Sequence, residues 1–196
     1  MSIAAHGQHA NADGGRDHMT AFFMSLAVPG LGQYYAGSTG MAKVFVSTEL
    51  AIWAGYFYNN TIMSASRQDY YSQAALHAGV NPEGKGTAYL NAVGAYNSSY
   101  DYNARQLQRS FTPVLYYGDK AWEWDNPESR RRFKDLRERE LDYKNNVKFC
   151  IAGIVLNHIL SGLNASAIVR KQADVPSSVS VNVLDGGLGA TVTRRF

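Results

Sequence analysis

Polar and ionisable side chains are costly inside apolar runs, so the few that occur there are the first place to look for chemistry. Glu49 stands at the middle of the apolar run Met41–Tyr58. Asn157, His158, Ser161 and Asn164 interrupt a second run, Val147–Val169. His158 and Ser161 are three residues apart, so on a helix their side chains can meet. That pairing suits a base and a nucleophile, and it also suits hydrogen bonds that join helices inside a bundle. No acidic orienter or oxyanion turn accompanies them, which points to a structural polar seam and not to a catalytic set. No enzyme activity is expected. If both runs cross a membrane, Glu49 lies at the depth of Asn157 and His158, and these are its natural partners. In a soluble protein Glu49 would point to water.

Three further motifs invite a chemical reading. Pro29-Gly30-Leu31-Gly32-Gln33 lacks the Gly-Lys-Ser/Thr ending of a phosphate loop and follows no strand pattern. Pro29, Gly30, Gly32 and Gln33 read instead as a turn that lets two helices approach closely. Trp122-Glu123-Trp124-Asp125 sets two indoles among acids. Trp122 and Trp124 suit a membrane interface, where the ring is buried and the N–H is wet. The alternative is aromatic packing at the start of the next helix. His6, His9 and His18 are irregularly spaced with no cysteine or carboxylate cluster, so no metal is expected, and nothing asks for a cofactor. Cys150 is the single cysteine and can form no intramolecular disulfide.

The elements that must position these residues follow from hydrophobic pattern and breakers. The chain has 196 residues, 45% hydrophobic and 18% charged, with a net charge of +3. That charged fraction lies below the roughly 25% of ordinary soluble domains. Its mean hydropathy of −0.28 excludes a chain made mostly of membrane spans. The densest basic run, Arg130, Arg131, Arg132 and Lys134, is flanked by the acids Glu128, Asp135, Glu138 and Glu140, so no nucleic-acid partner is expected. Residues 1–18 are small and polar and read as a disordered tail with no secretory signal. Residues 19–171 read as a single helical, membrane-associated domain. It carries apolar segments at about 19–36, 41–58 and 147–169, around a polar tyrosine-rich body at 59–146. The first two segments form a turn-linked hairpin.

Within the body, Ser64–His77 reads as one helix. Tyr89, Val93, Tyr96, Tyr100 and Leu107 recur at helical spacing, which predicts a second with one amphipathic face. Asn126-Pro127 is a helix start, with Asn as N-cap and Pro at the first position. No breaker follows until Gly153, so a long C-terminal helix should run on into the third apolar segment. Asp185-Gly186-Gly187 within 172–196 predicts a short β-hairpin. The fold class expected is mainly α, a membrane-associated helical bundle.

Three motifs in order carry a resemblance. Pro29-Gly30-Leu31-Gly32-Gln33-Tyr34-Tyr35, Trp122-Glu123-Trp124-Asp125 with Arg132, and Asn157-His158 with Ser161 and Ala165 resemble a bacterial domain-of-unknown-function family, number five-six-eight-three. The resemblance covers roughly residues 19–170. It implies a membrane-associated, mostly helical protein with a turn-linked N-terminal pair of apolar segments, and it supplies no reaction, ligand or catalytic residue.

The function expected is a non-enzymatic integral membrane protein of structural or scaffolding type. A small oligomeric transporter or lipid-handling protein is one alternative, with Glu49, Asn157 and His158 lining its site. A soluble helical protein is the other. Membrane lipid is the expected partner, together with a second copy or a membrane-complex partner. Small residues at Ser161, Ala165, Gly162 and Ser166 would allow close helix contact. Basic residues from Arg130 to Lys148 favour a cytoplasmic body, hence a bacterial cytoplasmic membrane, with the outer membrane as the alternative.

Overall fold

A computed structural model of the chain describes residues 16–173 and, beyond them, the backbone of 178–184 and 187–193. The described protein is mainly helical. The helices are α1 (His18–Ala27), α2 (Leu31–Tyr35), α3 (Thr39–Ala78), α4 (Thr87–Ala95), α5 (Ser99–Arg109) and α6 (Pro127–Ala173). Residues 1–15 of the expected N-terminal tail lie outside the described residues, while His18 already belongs to α1.

The chain divides into two compact units. Unit 1 is Met1–Ala51 with Gly153–Phe196, and unit 2 is Ile52–Ala152. Helices α3 and α6 each contribute to both.

In unit 1 the helix starts and turns follow from local chemistry. Asp17 caps α1, its carboxylate accepting from the Thr20 N–H at 2.7 Å. Gly30, at φ +96°, provides the left-handed step into α2 that L side chains resist. A side chain at Gly32 would strike the Ala21 carbonyl and the Ala165 methyl group, so α1, α2 and α6 meet there at backbone distance. A side chain at Gly162 of α6 would meet the Phe22 ring of α1 at 3.1 Å, a close but looser approach. The core of this unit is correspondingly small: Ala21, Ala36, Ala165 and Val169.

Unit 2 is built around aromatics. Tyr70, Tyr89, Tyr116, Trp122, Trp124 and Phe133 are all buried, with Val80, Leu90 and Val93 among them. Several meet edge to face, as Tyr70 does with Phe133 at a ring separation of 5.4 Å. Asn103 is buried and pairs twice with Tyr116, giving its Nδ2 to the carbonyl and accepting the N–H, both at 2.9 Å. Arg67 reaches the buried Glu140 carboxylate at 2.7 Å. This bond is the main cause that holds the Arg67 guanidinium above its usual range.

Three expectations are corrected here. The helices expected at 41–58 and 64–77 are one, α3. The helix runs on through its polar middle, where no glycine or proline breaks it between Gly55 and Gly79 and where the Asn59 and Thr61 side chains bond the carbonyls of Gly55 and Phe57. The amphipathic helix expected from Tyr89 to Leu107 is two, α4 and α5. Tyr96 is extended and Ser98 caps α5 by accepting from the Asp101 N–H. Tyr100 and Leu107 are therefore exposed, while Tyr89 and Val93 are buried. Trp122 and Trp124 are not interface aromatics: they are 3% and 6% exposed in the core of unit 2. Their indole N–H groups donate to the Tyr96 and Val93 carbonyls, so both polar tips are satisfied inside the protein. Helix α6 starts as expected, the Asn126 side chain accepting from the Ser129 N–H at 2.8 Å.

Candidate functional site

The polar residues of unit 1 gather in two linked clusters. The first is centred on Gln33, which is fully buried. Its Nε2 donates to the Ser161 carbonyl at 2.8 Å and to Asn164 Oδ1 at 3.2 Å. Its Oε1 accepts from the hydroxyls of Ser25 at 2.7 Å and Ser161 at 3.2 Å. Those hydroxyls in turn accept backbone N–H groups, Ser25 from Gly32 at 2.8 Å and Ser161 from Gly30 at 3.0 Å. Gly30 caps a short helix with Gly32 in its first turn, where the N–H groups have no helical partner. The two serine hydroxyls take the N–H groups of Gly30 and Gly32, while Leu31 gives its own to the Val28 carbonyl. The Pro29–Gln33 motif is thus more than a tight turn: its glycines bring the backbone close, and its glutamine bonds α2 to both α1 and α6.

The second cluster holds the ionisable residues. Asn157 Nδ2 donates to Glu49 Oε2 at 2.9 Å and to the Phe45 carbonyl at 3.2 Å. His158 Nδ1 lies 2.7 Å from the Leu26 carbonyl, which can only accept, so Nδ1 carries a proton. Its Nε2 faces Glu49 Oε1 at 3.4 Å, a long contact. Glu49, Asn157 and His158 are therefore brought together, linking α1, α3 and α6. Ser161, three residues after His158, turns to Gly30 and Gln33 instead. The imagined base and nucleophile belong to different clusters.

Sequence reasoning placed Gln33 only as a turn residue and overlooked Ser25 and Gln172. Ser25 stands four residues after Ala21, on the same face of α1, and both are fully buried. That small-residue spacing was the available signal. Gln172 Nε2 donates to the Ala36 carbonyl at 3.0 Å, closing α6 onto the end of α2. Among the described residues no group of three His, Cys, Asp or Glu side chains could hold a metal ion.

Chemically, these polar groups hold one another, and their bonds join α1, α2, α3 and α6. The class defined by fold and site is a helical protein with a polar seam in one unit and an aromatic core in the other. Comparison with known proteins gives no match: no family model, no curated protein and no solved structure matches this chain.

Proposed function

We propose that this chain is a non-enzymatic integral membrane protein of structural or scaffolding type, with unit 1 seated in lipid. One observation carries the reading: unit 1 turns its large apolar side chains outwards and its polar ones inwards. Phe23, Val44, Leu50, Val155, Leu156, Ile159, Leu160 and Leu163 are all exposed, Phe23 and Leu163 by 57% and 56%. Ser25, Gln33, Asn157 and Ser161 are buried. In water that arrangement wastes apolar burial. In hydrocarbon it is favourable, because polar groups there must find partners within the protein. The length and composition of α6 suffice to cross a bilayer, and only 28% of its apolar stretch is buried, unlike the core helix of a soluble protein.

The resemblance carried by the Pro29–Tyr35, Trp122–Asp125 and Asn157–Ser161 motifs points the same way. The seam bonds within itself, which favours a locked scaffold over a transport site. The basic residues from Arg130 to Lys148 favour the bacterial cytoplasmic membrane. Antiparallel pairing of Ser178–Leu184 with Gly187–Thr193 supports a β-hairpin tail after α6.

Alkaline carbonate extraction of membranes from cells producing the chain tests the reading. The protein is expected to stay in the membrane pellet. Release into the supernatant overturns the proposal.

A further inference from the structure

Unit 1 holds one cavity whose lining is almost wholly apolar, of about 440 Å³. Val28, Pro29, Leu31, Ala42 and Val46 form its walls, and Lys43 stands among the lining residues with Thr39. The groove exists because of Gly30. A side chain there would meet the Ala42 carbonyl and Val46 Cγ2, both at 2.7 Å, so the turn can lie against the first turns of α3.

The charge around this end of unit 1 is one-sided. Arg16 lays its guanidinium over Gly37, in the loop just before α3. Gln172 bonds the Ala36 carbonyl in the same loop, which brings the adjoining Arg170 and Lys171 to that end. Lys43, Arg170 and Lys171 are all exposed. Among the described residues the acid that adjoins Arg16 is Asp17, whose carboxylate is committed to the Thr20 N–H and hydroxyl. An apolar groove beside several cations and one occupied carboxylate matches a molecule with a hydrocarbon chain and an anionic head.

We infer that this groove binds one acyl chain of an anionic phospholipid, with Lys43 pairing to the headgroup phosphate. The inference rests on unit 1 being seated in lipid. The hydrocarbon chain fills the space between the Val28–Leu31 turn and α3. Lys43 extends its stem along that surface and carries its ammonium towards the head, as lysines near helix ends do. Arg16, Arg170 and Lys171 add to the local positive potential without being required for the contact.

Native mass spectrometry of the full chain, purified in mild detergent and incubated with equal amounts of phosphatidylglycerol and phosphatidylcholine, tests this. The wild-type protein should retain phosphatidylglycerol in clear preference, one molecule per chain. Lys43→Gln should reduce that preference about fivefold, the effect of removing one cation near a lipid phosphate. Val46→Trp, which fills the groove, should lower the retention of both lipids. Lys134→Gln in unit 2 should change neither. Equal retention of the two lipids by the wild type, or a preference that survives both Lys43→Gln and Val46→Trp, overturns the lipid site. A carbonate-resistant protein with no lipid preference refutes this site while leaving the membrane reading intact. A carbonate-released protein refutes both.

Discussion

The two units of this chain follow the same physical rule and reach opposite compositions. Unit 2 buries Tyr70, Tyr89, Trp122, Trp124 and Phe133, while Arg131, Lys134 and Glu138 stand exposed. Unit 1 buries alanines, serines, Gln33 and Asn157 and exposes phenylalanine, valine, leucine and isoleucine. On the proposed reading this difference reflects different surroundings: the exposed apolar face and inward polar groups of unit 1 suit hydrocarbon, and the exposed charges around the aromatic core of unit 2 suit water.

The most forceful way to break this contrast is to exchange the character of one residue in each unit. Phe133 is fully buried against Tyr70 and Trp124. Phe133→Ala should destabilise unit 2 by about 3–5 kcal/mol, read by denaturant unfolding followed through tryptophan fluorescence. Leu160, half-exposed on α6, is the counterpart. A lysine there costs about 3 kcal/mol at the centre of a membrane-spanning helix and almost nothing on a surface in water. Leu160→Lys should therefore deplete the membrane-inserted fraction. Normal insertion and stability of that variant would erase the distinction between the units.

A smaller effect is expected where unit 1 is most tightly closed. Gly32→Ala puts a methyl group against the Ala21 carbonyl, Ser25 Oγ and the Ala165 methyl group. The backbone carbonyl cannot swing aside, so α1 or α6 must move, at roughly 1–3 kcal/mol. Thermal unfolding in detergent reads this. The same exchange at Gly86 of unit 2, where a side chain would meet nothing within 4 Å, should cost less, only the weaker N-cap that alanine gives α4.

How much of this was legible in the sequence depends on whether a feature is local. The start of α6 was readable because Asn126 and Pro127 act on their own neighbours. The Pro29–Gln33 turn was readable because proline and glycine restrict the backbone wherever they occur. The meeting of Glu49 with Asn157 and His158 followed from counting residues to equal depth in two apolar runs. The roles of Trp122 and Trp124 could not be read, because an indole among acids suits a wet interface and a dry core equally. The decision lay in the Val93 and Tyr96 carbonyls, far away in the chain. The α4–α5 break was hidden for a related reason. Helical spacing of tyrosines persisted across Ser98, whose capping bond is a local competitor that periodicity does not weigh. Gln33 was underread since nothing near it announces burial.

Next in size is the seam itself. Asn157→Leu or His158→Leu removes a partner of Glu49 and leaves its carboxylate under-satisfied in a half-buried site. Glu49→Gln keeps an acceptor for Asn157 and should be tolerated far better. The coupling between Glu49→Gln and either leucine variant should be about 1 kcal/mol, in the range of interhelical polar pairs in membranes. A double-mutant cycle in detergent measures it. Strict additivity with both partners would mean that the seam does not hold unit 1 together.

The smallest effect belongs to unit 2 and to water. His77, in the last turn of α3, meets Asp125, just before α6, with Nδ1 2.7 Å from Oδ2. A hydrogen bond from His77, with another from Ser129, holds the Asp125 carboxyl below its usual value of 3.8. A carboxyl whose folded value is depressed adds stability that is fully present above the unfolded value. That contribution fades as the pH falls through the folded one. Asp125→Asn should therefore be less stable than the wild type at neutral pH, and the gap should close on acidification below 3.8. The gap will be modest, because both side chains are exposed and such pairs contribute little. The Asp125 N–H also bonds the His77 carbonyl at 2.9 Å, and asparagine keeps that bond. Denaturant unfolding across acidic pH, followed by the fluorescence of the neighbouring tryptophans, reads the difference. Equal stability of the two at neutral pH, or a less stable wild type, would show that the pair does not support folding.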